Sequence, residues 1–115
     1  MNCKKYHSTK CCCRQAHTHH SKKEASRCDE LHQMQRADQI TDLQIQRRFE
    51  LIPPQQFTSM SSERSCCYIA DFTYFKDGIF VIEDCKGYRT TDYKIKRKLM
   101  KQRYCSDGNA VFIET

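Results

Sequence analysis

The sequence predicts an α/β fold in which helices pack on a mixed β-sheet. Residues 21–36 and 90–104 carry helix signals, and alternating apolar residues between and after them indicate strands. The elements follow the order helix, three strands, helix and strand, which is typical of a layered domain. With 115 residues, the chain is long enough for one domain with a buried core. We divide it into a basic, Cys/His-rich arm or hairpin at residues 1–20 and a single domain at residues 21–115.

The first helix is predicted to begin at Ser21. This residue is a favourable N-cap, and Glu24 follows three residues later, so the two match a capping box. A modest apolar stripe continues to about Arg36, where we expect the helix to end. Capping alone is a sufficient explanation for Glu24, so its position does not by itself require a catalytic role.

Two further segments follow the first helix. Alternating apolar residues predict a strand over residues 43–52, and Pro53-Pro54 ends it because proline cannot continue a sheet ladder. Residues 55–63 are rich in Ser, Thr and Gln, so we expect a loop.

A β-hairpin is predicted over residues 65–86. Asp77-Gly78 indicates a type I′ turn, which needs positive φ at both central residues. A two-residue turn places Asp71 opposite Asp84. Side chains alternate between the two faces of a strand, so the odd-numbered residues from 67 to 75 are expected to share one face.

This hairpin carries the candidate site. Asp71 and Asp84 would face each other among apolar residues, where like charges destabilise a sheet and buried carboxylates are costly. A divalent cation would neutralise them, and Mg²⁺ or Mn²⁺ suits oxygen ligands. Lys86, two residues along, could orient a water or offset phosphate charge. Alternatively these residues, with Glu83, are ordinary charges on an edge hairpin.

The second helix is predicted to start after an N-cap at Thr90 to Asp92 and to run to about Tyr104. Ile95 and Leu99 are expected on the side opposite a basic face. That basic face is either simply solvated or contacts a phosphate backbone, which gives salt-dependent affinity with little sequence reading. It consists of Lys94, Arg97, Lys98 and Lys101. A last strand is predicted at residues 110–114.

The charge balance favours nucleic acid as a partner. Lys and Arg number 20 against 14 Asp and Glu, for a formal net charge of +6. The first five residues are not followed by an apolar run, so we expect no signal peptide and a cytoplasmic protein. No window approaches the roughly 20 apolar residues of a membrane helix.

Nine cysteines form no C-x-x-C pair, and we expect most to be thiols. Cys28, Cys67 and Cys85 occupy positions typical of core residues. A zinc-stabilised nucleic-acid-binding module is an alternative for the arm, although the spacing does not match known zinc modules. Its ligands would come from Cys11, Cys12, Cys13, His17, His19 and His20.

The chain resembles the PD-(D/E)xK nuclease superfamily, and more narrowly a small phage-type family described as endonucleases or Holliday-junction-resolvase-like. The resemblance covers about residues 4–114. Its specific parts are Y-I-A-D-F, which ends at Phe72, and V-I-E-D-C-K-G, which contains Asp84 and Lys86, while S-K-K-E-A supports it. Ala70 stands where the superfamily name has proline. The resemblance implies a restriction-endonuclease-like αβββαβ core.

The resemblance also implies metal-dependent hydrolysis of a DNA phosphodiester, leaving a 5′-phosphate and a 3′-hydroxyl. Asp71 matches the first metal-binding aspartate, Asp84 the second acidic residue and Lys86 the lysine. Cys85 would contribute its backbone carbonyl to the metal. Glu24 matches the additional acidic residue of resolvase-like members.

The implied partner is DNA, with branched DNA as a candidate substrate, in the host cytoplasm if the protein is phage-encoded. Cutting both strands needs two active sites, so a homodimer is expected. The alternative is a non-catalytic phage interaction or anti-defence protein that reuses the nuclease fold. A pure binding module would have no reason to place Asp71 and Asp84 on an apolar strand face.

Overall fold

The computed structural model describes residues 11–12, 18–19, 21–85 and 89–115. Within these ranges the predicted α/β fold and its αβββαβ order are confirmed. Most of the Cys/His-rich arm lies outside the described residues, as does Lys86. The elements are β1 (Cys11–Cys12), β2 (Thr18–His19), α1 (Lys22–Arg36), β3 (Thr41–Ile52), β4 (Cys66–Lys76), β5 (Ile79–Asp84), α2 (Thr91–Tyr104) and β6 (Ala110–Glu114).

The main sheet is mixed and has the strand order β3-β4-β5-β6. Strands β3, β4 and β5 are antiparallel neighbours, whereas β6 runs parallel to β5. A parallel neighbour requires a crossover, and α2 provides it. Strands β1 and β2 pair separately and antiparallel, as expected for a short hairpin in the arm.

Side-chain caps fix both helix starts where the sequence predicted them. Ser21 Oγ accepts a hydrogen bond from the Glu24 backbone N–H at 3.1 Å. At the start of α2, Thr90 Oγ1 accepts one from the Tyr93 N–H at 3.1 Å. Each cap satisfies a backbone donor that has no partner within its helix.

The β4–β5 hairpin has the predicted register. Asp77 and Gly78 have φ angles of 52° and 79°, both positive as a type I′ turn requires. Lys76 pairs with Ile79, and the ladder continues to Phe72 opposite Glu83. The ladder ends there, one step before Asp71 and Asp84, so the pairing of these two residues stays a prediction.

Two apolar clusters cover the two faces of the sheet. Val81 and Ile82 are neighbours on β5 yet belong to different clusters, so α1 and α2 pack on opposite faces. The α1 cluster contains Ala25, Cys28, Leu31, Ile40, Phe72, Tyr74 and Val81. The α2 cluster contains Phe49, Leu51, Tyr68, Ala70, Ile82, Tyr93 and Met100.

Strand β4 departs from strict alternation near Asp71. Ala70 belongs to the α2 cluster and Phe72 to the α1 cluster, although alternate residues should share a face. Gln46 lies opposite Asp71 in the β3–β4 ladder and has a left-handed φ of 56°. The prediction of one continuous face over residues 67–75 is therefore wrong, because the paired strands change face at this step.

Helix α2 packs differently from the prediction. Tyr93 and Met100 are the buried residues of this helix, whereas Ile95 is 55% exposed. Leu99 is half-buried as expected, but Ile95 lies about 200° around the helix from Tyr93. The placement of Ile95 on the buried side is therefore wrong, because Tyr93 is the residue that meets the sheet.

The cysteines expected in the core are buried or half-buried, but one of them is not a free thiol. Cys28 is fully buried and Cys85 half-buried, and both are free thiols. Cys67 is fully buried but disulfide-bonded, so the thiol expectation is wrong for this residue. No helix in the described ranges is both long and apolar enough to span a membrane.

Glu114 on β6 forms hydrogen bonds with residues of α2. Its carboxylate accepts hydrogen bonds from the Tyr93 hydroxyl, from Arg97 at 3.0 Å and from Arg89 at 3.1 Å. Burial would raise the pKa of Glu114, but these hydrogen bonds outweigh burial and lower the pKa to about 2. The ionised form is therefore favoured in the folded protein.

We expect Glu114→Gln to destabilise the protein at neutral pH but not in strong acid. A folded pKa below the ordinary value of 4.5 gives stability that is present above pH 4.5 and lost as pH falls towards 2. The loss at pH 7 should be up to about 3 kcal/mol, measured by urea unfolding across this pH range. Glu50→Gln, at an exposed carboxylate, is the control. A Glu114→Gln deficit that does not shrink in acid would contradict the assignment.

Candidate functional site

Three carboxylate side chains are buried where α1, β4 and β5 come together. Asp71 and Asp84 are fully buried, and Glu24 is 3% exposed. Burying a carboxylate is costly unless hydrogen bonds or a cation stabilise its charge. Their burial on three elements distinguishes them from ordinary surface charges.

Gln46 joins two of these carboxylates. Its Nε2 donates a hydrogen bond to Glu24 Oε2 at 2.7 Å and another to Asp71 Oδ1 at 3.4 Å. One carboxylate oxygen from α1 and one from β4 therefore lie around the same amide nitrogen. Carboxylate oxygens placed this close together are the type of ligand that hard cations such as Mg²⁺ use.

The second oxygen of Asp71 is held by the end of β5. The Cys85 backbone N–H donates to Asp71 Oδ2 at 2.8 Å. This bond fixes the carboxylate orientation and places the backbone of Cys85 beside it. Asp84, the preceding residue, follows the last pair of the β4–β5 ladder, Phe72 opposite Glu83.

Two tyrosines surround Asp84 on the α2 side, and sequence reasoning missed both. Tyr68 is 4% exposed, and its pKa is raised by burial and by the neighbouring Asp84 carboxylate. Burial also raises the pKa of Tyr93, with further contributions from its hydrogen bond to Glu114 and from Asp84. The only sequence signal was that Tyr68 opens the Y-I-A-D-F segment.

Cys85 contributes its backbone rather than a thiolate. Burial raises the pKa of its thiol to about 11, and although the Thr115 hydroxyl acts against this, the nearby carboxylates reinforce it. The Sγ atom lies 3.1 Å from Thr115 Oγ1. The thiol therefore stays protonated near neutral pH.

Glu83 faces the α1 side of the sheet, where its carboxylate is fully buried. Arg27 donates to its two oxygens at 2.6 and 3.0 Å, and the Tyr74 hydroxyl donates at 2.7 Å. Thr115 Oγ1 adds a bond at 3.2 Å. Glu83 is thus a buried structural acceptor on the α1 side.

An open cleft of about 370 Å³ lies next to Cys85. The three buried carboxylates and Gln46 do not line it, and two of its six lining residues carry positive charge. The lining residues are Lys23, Ser26, Arg27, Glu30, Cys85 and Thr115.

The predicted basic face of α2 is only partly available. Lys94, Lys98 and Lys101 are exposed. Arg97 instead forms an ion pair with Glu114 at 3.0 Å, and its guanidinium lies 5.7 Å from the centroid of the Tyr93 ring. The structure therefore leaves three of the four predicted cations open to a ligand.

The donor set fits a hard cation that keeps part of its water shell. Among the described residues, no group of three or more His, Cys, Asp or Glu side chains is arranged to hold a metal together. Mg²⁺ commonly uses only one or two carboxylates, together with water and substrate phosphate. Glu24 and Asp71 supply such a pair. Lys86 lies outside the described residues.

The fold and site define an α/β protein with a buried carboxylate cluster at the junction of α1, β4 and β5. A sequence model described as "Protein of unknown function (DUF1064)" matches residues 3–113, so the chain belongs to the DUF1064 family. No curated protein and no solved structure matches the chain.

Proposed function

We propose that this protein is a metal-dependent DNA endonuclease that hydrolyses phosphodiester bonds. The observation that carries the proposal is the pairing of buried Glu24 and Asp71 around one amide nitrogen, together with the burial of Asp84. Buried acidic residues brought together from several elements are typical of functional sites. The resemblance to PD-(D/E)xK nucleases implies an αβββαβ order of elements. The chain has this order, which supports the same assignment.

Each residue has a defined task in this proposal. A bound Mg²⁺ or Mn²⁺ would polarise the phosphate and lower the pKa of a water molecule. Glu24, Asp71 and Asp84 would hold the ion, and the backbone carbonyl of Cys85 would assist. The Cys85 N–H keeps the Asp71 carboxylate oriented. Lys86 would orient the attacking water or stabilise negative charge that develops on the phosphate.

The proposed substrate is DNA, bound through its backbone. The net charge of +6 and the exposed Lys94, Lys98 and Lys101 support electrostatic binding. Such binding weakens as salt rises because counterions are released. A branched substrate, a homodimeric active form and a cytoplasmic site of action, in a host if phage-encoded, belong to the proposal through the family resemblance.

We expect Lys86→Ala to abolish metal-dependent cleavage while DNA binding persists. Loss of a general acid, base or charge-stabilising group lowers rates by about 10²- to 10⁴-fold. The measurement uses labelled duplex, single strand, flap and four-way junction, each with Mg²⁺, with Mn²⁺ and with a chelator. Lys76→Ala, at an exposed lysine of the β4–β5 hairpin, is the control and should cut normally.

The substrate that is cut fastest in this panel would identify the DNA structure that the enzyme prefers. Binding without cutting by the unaltered protein, on every substrate and with either metal, would contradict the proposal. That result would support a non-catalytic protein that reuses the fold to bind a partner.

A further inference from the structure

Gln46 has an unusual backbone for the interior of a strand. Its φ of 56° lies in the left-handed region, although it is neither glycine nor asparagine. Such conformations persist only where the surrounding structure enforces them, and they concentrate at functional sites. At Gln46, β3 and β4 change face, and the residue opposite is Asp71.

The side chain of Gln46 reaches the space between two carboxylates. Its terminal nitrogen is 2.7 Å from Glu24 Oε2 and 3.4 Å from Asp71 Oδ1. Nitrogen rather than oxygen faces the carboxylates because only the NH₂ group can donate to them. The amide thus occupies the position at which a cation would meet both groups.

A rotation about the last side-chain bond exchanges the two ends of this amide. The terminal torsion of glutamine is broad and roughly two-fold, so the rotation requires no change of rotamer elsewhere in the side chain. It would bring Oε1 towards the position now taken by Nε2. Side-chain carbonyl oxygens of Asn and Gln are ordinary ligands for hard cations.

We infer that Gln46 is an oxygen ligand of the divalent cation. This inference rests on the proposed function and adds to it a residue that the resemblance did not assign. Without a cation, the NH₂ group holds Glu24 and Asp71 together. With a cation, the amide rotates and Oε1 joins the two carboxylates. Gln46 then adds a neutral amide oxygen to the carboxylate ligands of the proposed function.

Gln46→Asn is the most discriminating variant. Asparagine adopts positive φ more readily than glutamine, so the backbone is preserved, but its amide is one methylene shorter and withdraws from the carboxylates. We expect Mn²⁺ affinity, measured by calorimetry without DNA, to fall about 10- to 100-fold, the range seen when groups around a metal are changed. Gln44→Asn, at an exposed glutamine of the same strand, should bind Mn²⁺ normally.

Gln46→Glu supplies the complementary test. A carboxylate keeps the side-chain length and offers oxygen, so Mn²⁺ affinity should equal or exceed that of the unaltered protein. The metal-free variant should be less stable, because three carboxylates would then face one another. Circular dichroism of each variant establishes that it is folded before affinity is compared.

Two outcomes would overturn the inference, and they can be told apart. If the unaltered protein binds Mn²⁺ and Gln46→Asn binds it equally or more tightly, Gln46 is not a ligand, and the proposed nuclease function stands. If the unaltered protein binds no Mn²⁺ and cuts no DNA, both the inference and the proposed function fail.

Discussion

Asp71→Asn is expected to reduce metal-dependent DNA cleavage by at least about 100-fold. This factor is the largest loss typical of mutating a residue that surrounds a metal without binding it. Both oxygens of Asp71 are engaged, Oδ1 by the Gln46 amide and Oδ2 by the Cys85 N–H. Asparagine must turn its NH₂ group towards one of these two donors. The substitution therefore removes a negative charge and also misaligns the remaining oxygen.

The measurement is single-turnover cleavage of labelled DNA at saturating Mg²⁺, combined with Mn²⁺ affinity. Both readouts should fall for Asp71→Asn. Asp77→Asn is the matched control, because Asn-Gly suits the type I′ turn as well as Asp-Gly and the position is exposed. Cleavage by Asp71→Asn at a rate close to that of the control would remove Asp71 from the active site.

Arg27→Met is expected to destabilise the fold more than any other single change considered, by about 3–5 kcal/mol. It would leave the fully buried Glu83 carboxylate without the guanidinium that binds both its oxygens. Hydrogen bonding to Glu83 is also the main reason that the pKa of Arg27 is raised. Tyr74 and Thr115 would remain as neutral donors, which compensate only part of a buried charge.

Urea unfolding measures this effect directly. Glu30→Gln removes the other carboxylate partner of Arg27, which is 60% exposed, and should cost less than about 1 kcal/mol. Glu83→Gln should cost less than Arg27→Met, because Arg27 is partly exposed and can be solvated. Equal stability of Arg27→Met and the unaltered protein would contradict the structural role of this ion pair.

Local sequence signals predicted the architecture well. The Asp77-Gly78 turn determines the hairpin register, since both residues must adopt positive φ, and the ladder follows that register from Lys76–Ile79 to Phe72–Glu83. The N-caps at Ser21 and Thr90 likewise act within a single helical turn. These features depend on residues a few positions apart, which is why the sequence alone was sufficient.

The missed features depend on contacts between distant segments. Gln46 meets Glu24 from 22 residues away, and no glycine or asparagine in the sequence marks its left-handed backbone. Arg97 donates a hydrogen bond to Glu114, which lies 17 residues further along the chain, so it is not available on the basic face. Helical periodicity alone could not show that Tyr93, rather than Ile95, meets the sheet.

The most direct test of the central claim is the fate of supercoiled closed-circular DNA incubated with the purified protein and Mg²⁺ or Mn²⁺. Closed circles have no ends, so only an endonuclease converts them to nicked or linear forms. We expect conversion that a chelator stops and that Asp84→Asn, purified in parallel, does not catalyse. Intact circles at protein concentrations that demonstrably bind the DNA would contradict the nuclease assignment.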